Sequence, residues 1–211
     1  MGVSVARKTE APDQTGTARE RILAAASDLF LTEGILGSGV DRLIGASGVA
    51  KATFYRQFPS KDDVIVAWLR RPEARWIEAV LARLDREHRS PLERLLSFWD
   101  AIDEWERKRG YPGCAFLNTL VEIRDRHHPA RAVIASFIAE VDEFFITNAK
   151  DAGVPDPAEI GRQLRTLAMG TFMAMRLQHS SEPAQRARAA AVSLLAQELR
   201  MTPEALEAGI D

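Results

Sequence analysis

The sequence is poor in the residues that build reactive centres: one cysteine, Cys114, and four histidines in 211 residues. A single cysteine excludes an intrachain disulfide and makes a reducing, cytoplasmic setting the expectation. His127 and His128 are adjacent, so their side chains point in different directions. No second His, Cys or acidic cluster accompanies them, and no metal is expected. A Walker loop, a G-x-G-x-x-G fingerprint and a Ser/His/Asp set are also missing, which disfavours an enzyme and leaves no cofactor to expect. No run approaches the roughly 20 apolar residues of a membrane span. The first sixteen residues lack an apolar core of signal-peptide length and read as a solvated tail. The net charge of −2 argues against indiscriminate coating of nucleic acid, though it permits a local basic patch.

What remains is helical. Thr17 and Glu20 have the spacing of a capping box, followed by the stripe Ile22, Leu23, Ala26, Leu29 and Phe30, and Gly34 supplies a stop. Ser90-Pro91-Leu92-Glu93 and Asp156-Pro157-Ala158-Glu159 repeat a cap, a proline at the first helical position and an acid. These signals predict helices over 17–33, 40–47, 51–57, 60–87, 90–109, 113–126, 129–152, 156–179 and 182–200, with no competing period-two alternation. Pro72 predicts a break between Arg70 and Arg75. The expected class is all-α: a tail over 1–16, a three-helix head over 17–64, and a longer helical bundle over 65–211.

The chemistry concentrates between Ser38 and Lys61, where four basic residues face one acid in a chain that is negative overall. Val40, Leu43 and Ile44 form an apolar face, Gly48 allows a left-handed turn, and Val49 fills the corner. Phe54 and Phe58, four apart, point into the core. That leaves Lys51, Ala52, Thr53, Tyr55, Arg56 and Gln57 outside. Lys51, Arg56 and Lys61 suit phosphates, Thr53 and Tyr55 can hydrogen-bond, and the small Ala50 and Ala52 permit close approach to a major groove. Ser38, Gly39 and Arg42 complete the expected DNA-facing set.

Gly48-Val49-Ala50-Lys51-Ala52-Thr53-Phe54-Tyr55-Arg56-Gln57-Phe58-Pro59-Ser60-Lys61-Asp62 resembles the helix-turn-helix signature of the tetracycline-repressor-like (TetR) family. The resemblance extends over roughly 17–65, with Ile22-Leu23-Ala24-Ala25-Ala26, Leu29-Phe30 and Gly34 matching its first helix and turn. It implies that Tyr55 and Lys61 contact phosphate and that Lys51, Ala52, Thr53 and Gln57 face the groove. Gly39 stands where the family usually has a capping Ser or Thr, a role open to Ser38. Ile44 and Ser47 replace usual alanines, and Ala50 replaces the usual serine cap.

For the C-terminal half the expectation is a ligand-binding and dimerisation bundle. Trp99, Phe116, Phe137, Met169, Phe172 and Met173 are candidate lining residues for an unidentified small-molecule effector, with Asn118, Glu122 and Arg176 as polar anchors. Leu164, Leu167, Thr171, Met175, Ala187, Ala191, Leu194 and Leu195 are candidate homodimer residues. Cys114 reads as a core filler, with a redox sensor as the other reading. The function implied is a ligand-responsive repressor that binds a near-palindromic double-stranded DNA operator as a dimer, its two heads respaced through the 60–87 segment. A helical ligand-binding or protein-interaction module without sequence-specific DNA binding is the alternative.

Overall fold

A computed structural model describes residues 16–72, 74, 76–87 and 90–208. Every regular element among them is a helix. They are α1 (Ala18–Thr32), α2 (Val40–Ser47), α3 (Lys51–Gln57), α4 (Lys61–Leu69), α5 (Trp76–Arg86), α6 (Pro91–Arg109), α7 (Ala115–Glu122), α8 (Ala130–Asp151), α9 (Pro157–Gln178), α10 (Glu182–Leu199) and α11 (Pro203–Ala208). The expected tail lies outside the described residues apart from Gly16.

The caps account for several boundaries. At α1 the Glu20 N–H donates to Thr17 Oγ1 over 3.3 Å, and the Thr17 N–H donates to Glu20 Oε2 over 2.6 Å. Ser90 and Glu93 repeat this reciprocal pairing at α6, and Asp156 accepts from the Glu159 N–H at α9. Each box satisfies backbone donors that the first helical turn leaves unpaired.

Three boundaries differ from, or refine, the sequence reading. The 60–87 segment is two helices: α4 stops at Leu69 and α5 starts at Trp76, with Pro72 in the gap. The helix expected over 113–126 is shorter. Gly113 has φ +78° and Cys114 is extended, so α7 begins at Ala115; Ile123 is extended and ends it. The Arg131 guanidinium caps the loop beyond by donating to the carbonyls of Ile123 and Asp125, both at 2.7 Å. The short α11 was not expected, although Thr202-Pro203-Glu204 repeats the cap-proline-acid signal; the Thr202 hydroxyl accepts from the Ala205 N–H and Leu206 is fully buried.

The chain divides into two compact units, residues 1–68 and 69–211. In the first, Ile22, Ala26, Leu29 and Phe30 of α1 are buried together with Leu43, Val49, Phe54, Phe58, Val64, Ile65 and Trp68. Phe30 meets Trp68 edge-to-face at 5.2 Å, a geometry that the ring quadrupoles favour. Gly48, at φ +62°, makes the turn between α2 and α3.

In the second unit α8 packs on α9, α9 on α10, and α6 on both α8 and α10. Its centre is aromatic: Phe98 lies 4.6 Å from Phe145, Trp99 5.9 Å from Phe145, and Phe116 is stacked on Phe137 at 3.8 Å. Arg165 of α9 pairs with Asp142 of α8 at 2.6 Å. No described helix is long and apolar enough to cross a membrane.

Candidate nucleic-acid interface

Phe54 is fully buried and Phe58 nearly so. That fixes the rotation of α3, so Lys51, Ala52, Tyr55 and Arg56 are exposed while Thr53 and Gln57 are half-buried. The Tyr55 ring leans edge-on against Phe54 at 5.5 Å, which leaves its hydroxyl end outward. Arg19 secures the far end of α3: its guanidinium lies 4.3 Å from the Phe58 ring centroid and donates to the Gln57 carbonyl. Arg19 was missing from the sequence reading, since nothing local marks a contact 38 residues away.

Neither α2 nor α3 has a side-chain cap. Their N-caps, Gly39 and Ala50, are extended and offer no acceptor, so the first-turn N–H groups of both helices lack a side-chain partner there. Such groups carry the positive end of the helix dipole. Two cations of this face are held by acids. Arg42 pairs with Glu33 at 2.8 Å, and Lys51 pairs across the corner with Asp41 at 3.5 Å, with side chains 68% and 90% exposed. The Arg42 hydrogen bond holds the Glu33 carboxyl below the ordinary glutamate value.

Two of the expected contacts make hydrogen bonds within the head. Ser38 is fully buried, and its hydroxyl donates to the Gly34 carbonyl at 2.7 Å. It closes the α1–α2 turn and neither caps α2 nor faces outward. The Lys61 ammonium donates to the Ile35 carbonyl, so this half-buried lysine ties α4 to the same turn. Gly39, Arg42, Ala50, Lys51, Ala52, Tyr55 and Arg56 are the expected residues that the fold leaves exposed on one local surface.

The second unit sorts the other candidates. A cavity of about 20 Å³ is lined by Phe98, Cys114, Leu117, Phe137, Met169 and Phe172 among others. Phe137, Met169 and Phe172 are thus brought together on one cavity wall. Trp99 and Phe116 are buried in the neighbouring aromatic core, and Asn118 donates to the Pro112 carbonyl. Glu122 ends α7, half-buried. Arg176 borders Gly113, where an added Cβ would stand 3.0 Å from its Cδ. Met173 is 49% exposed and does not line this cavity. Cys114 is buried on the cavity wall.

The dimer candidates divide by burial. Leu164, Thr171, Met175, Ala187, Ala191 and Leu195 are buried within the protomer, so they have no surface to offer a partner; Leu167 and Leu194 are half-buried. The apolar stripe read from the sequence is the face that builds the bundle. The exposed face of α9 carries Thr166, Gly170, Met173 and Leu177 instead. His127 and His128 lie in a turn; His128 Nδ1 accepts from the Ala130 N–H at the start of α8. No group of residues arranged to hold a metal occurs among the described residues.

Residues 22–67 match the family model described as bacterial regulatory proteins, tetR family. Residues 91–191 match the tetracyclin repressor-like C-terminal domain. The chain is 25% identical over 187 residues to the transcriptional repressor NemR of Escherichia coli K12, covering 84% of this chain and 94% of that protein. Crystal structures of TetR-type regulators show the same fold. One from Streptomyces coelicolor has a TM-score of 0.78 at 27% identity, covering 86% of this chain and 95% of that one. One from Streptomyces avermitilis has a TM-score of 0.68 at 28% identity, covering 83% and 98%. With a helix-turn-helix head and a helical bundle each matched by its own model, the chain belongs to the tetR family of bacterial transcription regulators.

Proposed function

We propose that this regulator is a cytoplasmic, ligand-responsive repressor that binds a near-palindromic DNA operator as a homodimer. The observation that carries the reading is the exposed set Lys51, Ala52, Tyr55 and Arg56 on a helix whose opposite side, Phe54, is locked in the core. A short helix of seven residues reads too few base pairs alone. Two copies about 34–36 Å apart on successive major grooves supply the rest. Lys51 and Arg56 bring charge, Tyr55 a hydroxyl for phosphate, and Ala52 a methyl-sized surface for thymine. The repressor role is supported by the likeness to NemR.

Dimerisation uses the exposed α9 stripe of Thr166, Gly170, Met173 and Leu177. An effector acts through the second unit by binding one conformation of the dimer better than another, which shifts the population away from the operator-competent form. Selection of bound sequences from a random DNA library tests the reading. The expected result is a near-palindromic consensus whose binding falls with added salt, is weakened by Tyr55→Phe, and loses about one unit of salt slope in Lys51→Ala. No enrichment over random DNA would favour a module without sequence-specific DNA binding. That reading draws on the ion pairs already holding Arg42 and Lys51.

A further inference from the structure

Asp41 stands in the first turn of α2, its side chain 90% exposed beside Lys51. A carboxylate on a surface that docks on DNA repels the phosphates it approaches. Among the described residues this one makes no hydrogen bond and a single ion pair, with Lys51. Pairs between two exposed groups contribute little to stability, so the head gains little from having an acid at this position. The ion pair is also loose. At 3.5 Å it lies beyond the roughly 2.7–3.2 Å of an N–H···O hydrogen bond, whereas Arg42 donates to Glu33 at 2.8 Å. The Lys51 ammonium therefore keeps donors, and the Asp41 carboxylate acceptors, open to a third party.

The pair is placed where bases are read. Lys51 is the first residue of α3, and the N-terminal residues of a recognition helix are the ones that meet base edges in the major groove. Little bulk surrounds it. Lys51 is flanked by the exposed Ala50 and Ala52, and a Cβ added to Gly39, two residues before Asp41, would meet nothing within 4 Å. A base edge can thus reach both charged groups at once. On the major-groove edge of a G·C pair, the guanine N7 and O6 acceptors are followed by the cytosine N4 donor. Neighbouring ammonium and carboxylate groups complement that order. An A·T pair interposes the adenine N6 donor between its two acceptors, so the ammonium meets one acceptor instead of two.

We propose that Asp41 and Lys51 together read one G·C pair in each half of the operator, the ammonium donating to guanine O6 and N7 and the carboxylate accepting from cytosine N4. This rests on the DNA-binding reading above and adds Asp41 to it as a specificity-determining residue. A phosphate offers acceptors alone, so the acid weakens binding to DNA at large while favouring the one base pair that supplies a donor.

The test selects bound sequences from random DNA with the full-length protein and with Asp41→Ala, Lys51→Ala and Asp28→Asn. Affinities for the consensus and its single-pair variants are then measured by fluorescence anisotropy. The parent should select G·C at a fixed position of each half-site, and A·T there in one half should weaken binding about tenfold. Asp41→Ala should cut that preference to about threefold or less and leave the other positions as selective as before. It should also bind random DNA more tightly, with a steeper salt dependence. Lys51→Ala should relax the same position while binding random DNA less tightly. Asp28→Asn removes an exposed acid of α1 outside the pair and should leave every preference intact. Circular dichroism confirms that each variant is folded. A selected operator without a fixed G·C position, a preference unchanged in Asp41→Ala, relaxation spread over all positions, or loss of all binding in Asp41→Ala would each overturn the proposal and leave the regulator standing. Selection of no sequence by the parent would overturn both.

Discussion

Helix α9 crosses α8 at Gly161, where an added Cβ would stand 2.5 Å from Ile146 Cγ1 and 3.2 Å from the Ile146 backbone nitrogen. Gly161→Ala therefore sets two effects against each other. Alanine is favoured over glycine inside a helix by about 1 kcal/mol. A methyl forced into a packed contact costs about 1–3 kcal/mol. The Ile146 side chain can rotate away, but its backbone nitrogen can move only if the helices part by a few tenths of an ångström. The packing cost should win, for a net loss of about 1 kcal/mol, or roughly 2–4 °C in Tm. Gly45, inside α2, meets nothing within 4 Å, so Gly45→Ala should gain up to about 1 kcal/mol. Urea denaturation followed by circular dichroism measures both, each read on the transition of its own unit. A Gly161→Ala protein about 1 kcal/mol more stable than the parent would refute the close crossing, because propensity would then be unopposed.

The remaining predictions concern the dimer, Glu106 and the first helix. Leu177 is 82% exposed, so Leu177→Glu should leave the protomer folded yet shift the dimer to monomer at micromolar concentration by analytical ultracentrifugation; an unchanged dimer would remove this face from the interface. Burial holds the Glu106 carboxyl above its ordinary value of 4.5, against the Gly113 hydrogen bond and the Arg109 and Arg176 charges. The folded state thus binds that proton more tightly than the unfolded chain, and stability is lost as pH rises from about 4.5 through the folded value. Glu106→Gln should flatten that decline and raise relative stability at neutral pH, whereas parallel profiles for the two proteins would rule out the buried acid as its source. Thr17→Ala removes the α1 capping box and should cost about 1 kcal/mol in the first unit's denaturation midpoint; no measurable change would show that the box is redundant.

The head was legible in the sequence because its signals are local. The Thr17–Glu20 box, the Gly48 turn and the Phe54–Phe58 spacing each act within four residues. Together they fix which side of α3 is outward. The internal hydrogen bonds of Ser38 and Lys61 were not legible, because their partners, the carbonyls of Gly34 and Ile35, are backbone groups that no sequence pattern displays. The burial of most dimer candidates was not legible for a different reason. An apolar stripe tells which face is buried and is silent on what buries it, so Leu164, Met175 and Ala191 signalled the protomer core as strongly as they would have signalled a partner. The face left for a partner is marked by exposure, with Met173 and Leu177 beside the small Gly170 and Thr166. Glu106 sits in a charged stretch that reads as a wet helix end, Glu104 through Arg109, and only the fold shows that one of its acids is inside.

The placement of α9 suggests how an effector and a partner would be coupled. Ligand sites typically measure about 300–1,000 Å³, whereas the aromatic cavity is about 20 Å³, room for one water-sized molecule. An effector therefore cannot enter this cavity unless the bundle opens. The N-terminal third of α9 is held to α8 twice, by the close crossing at Gly161 and by the Arg165–Asp142 pair. Ala168, Met169 and Phe172 line the cavity beyond those pins, and Met173 and Leu177 lie on the outer side farther along. At about 1.5 Å per residue, Leu177 is roughly 24 Å from Gly161 and Met169 roughly 12 Å. If α9 turns about its pinned end as a rigid rod, an opening of 1 Å at Met169 displaces Leu177 by about 2 Å. In the proposed dimer this places the largest motion where the partner would sit. The same helix would then convert a small internal opening into a change of dimer geometry, and a protein with α9 freed at Arg165, as in Asp142→Ala, should bind effector without passing the full effect to the operator.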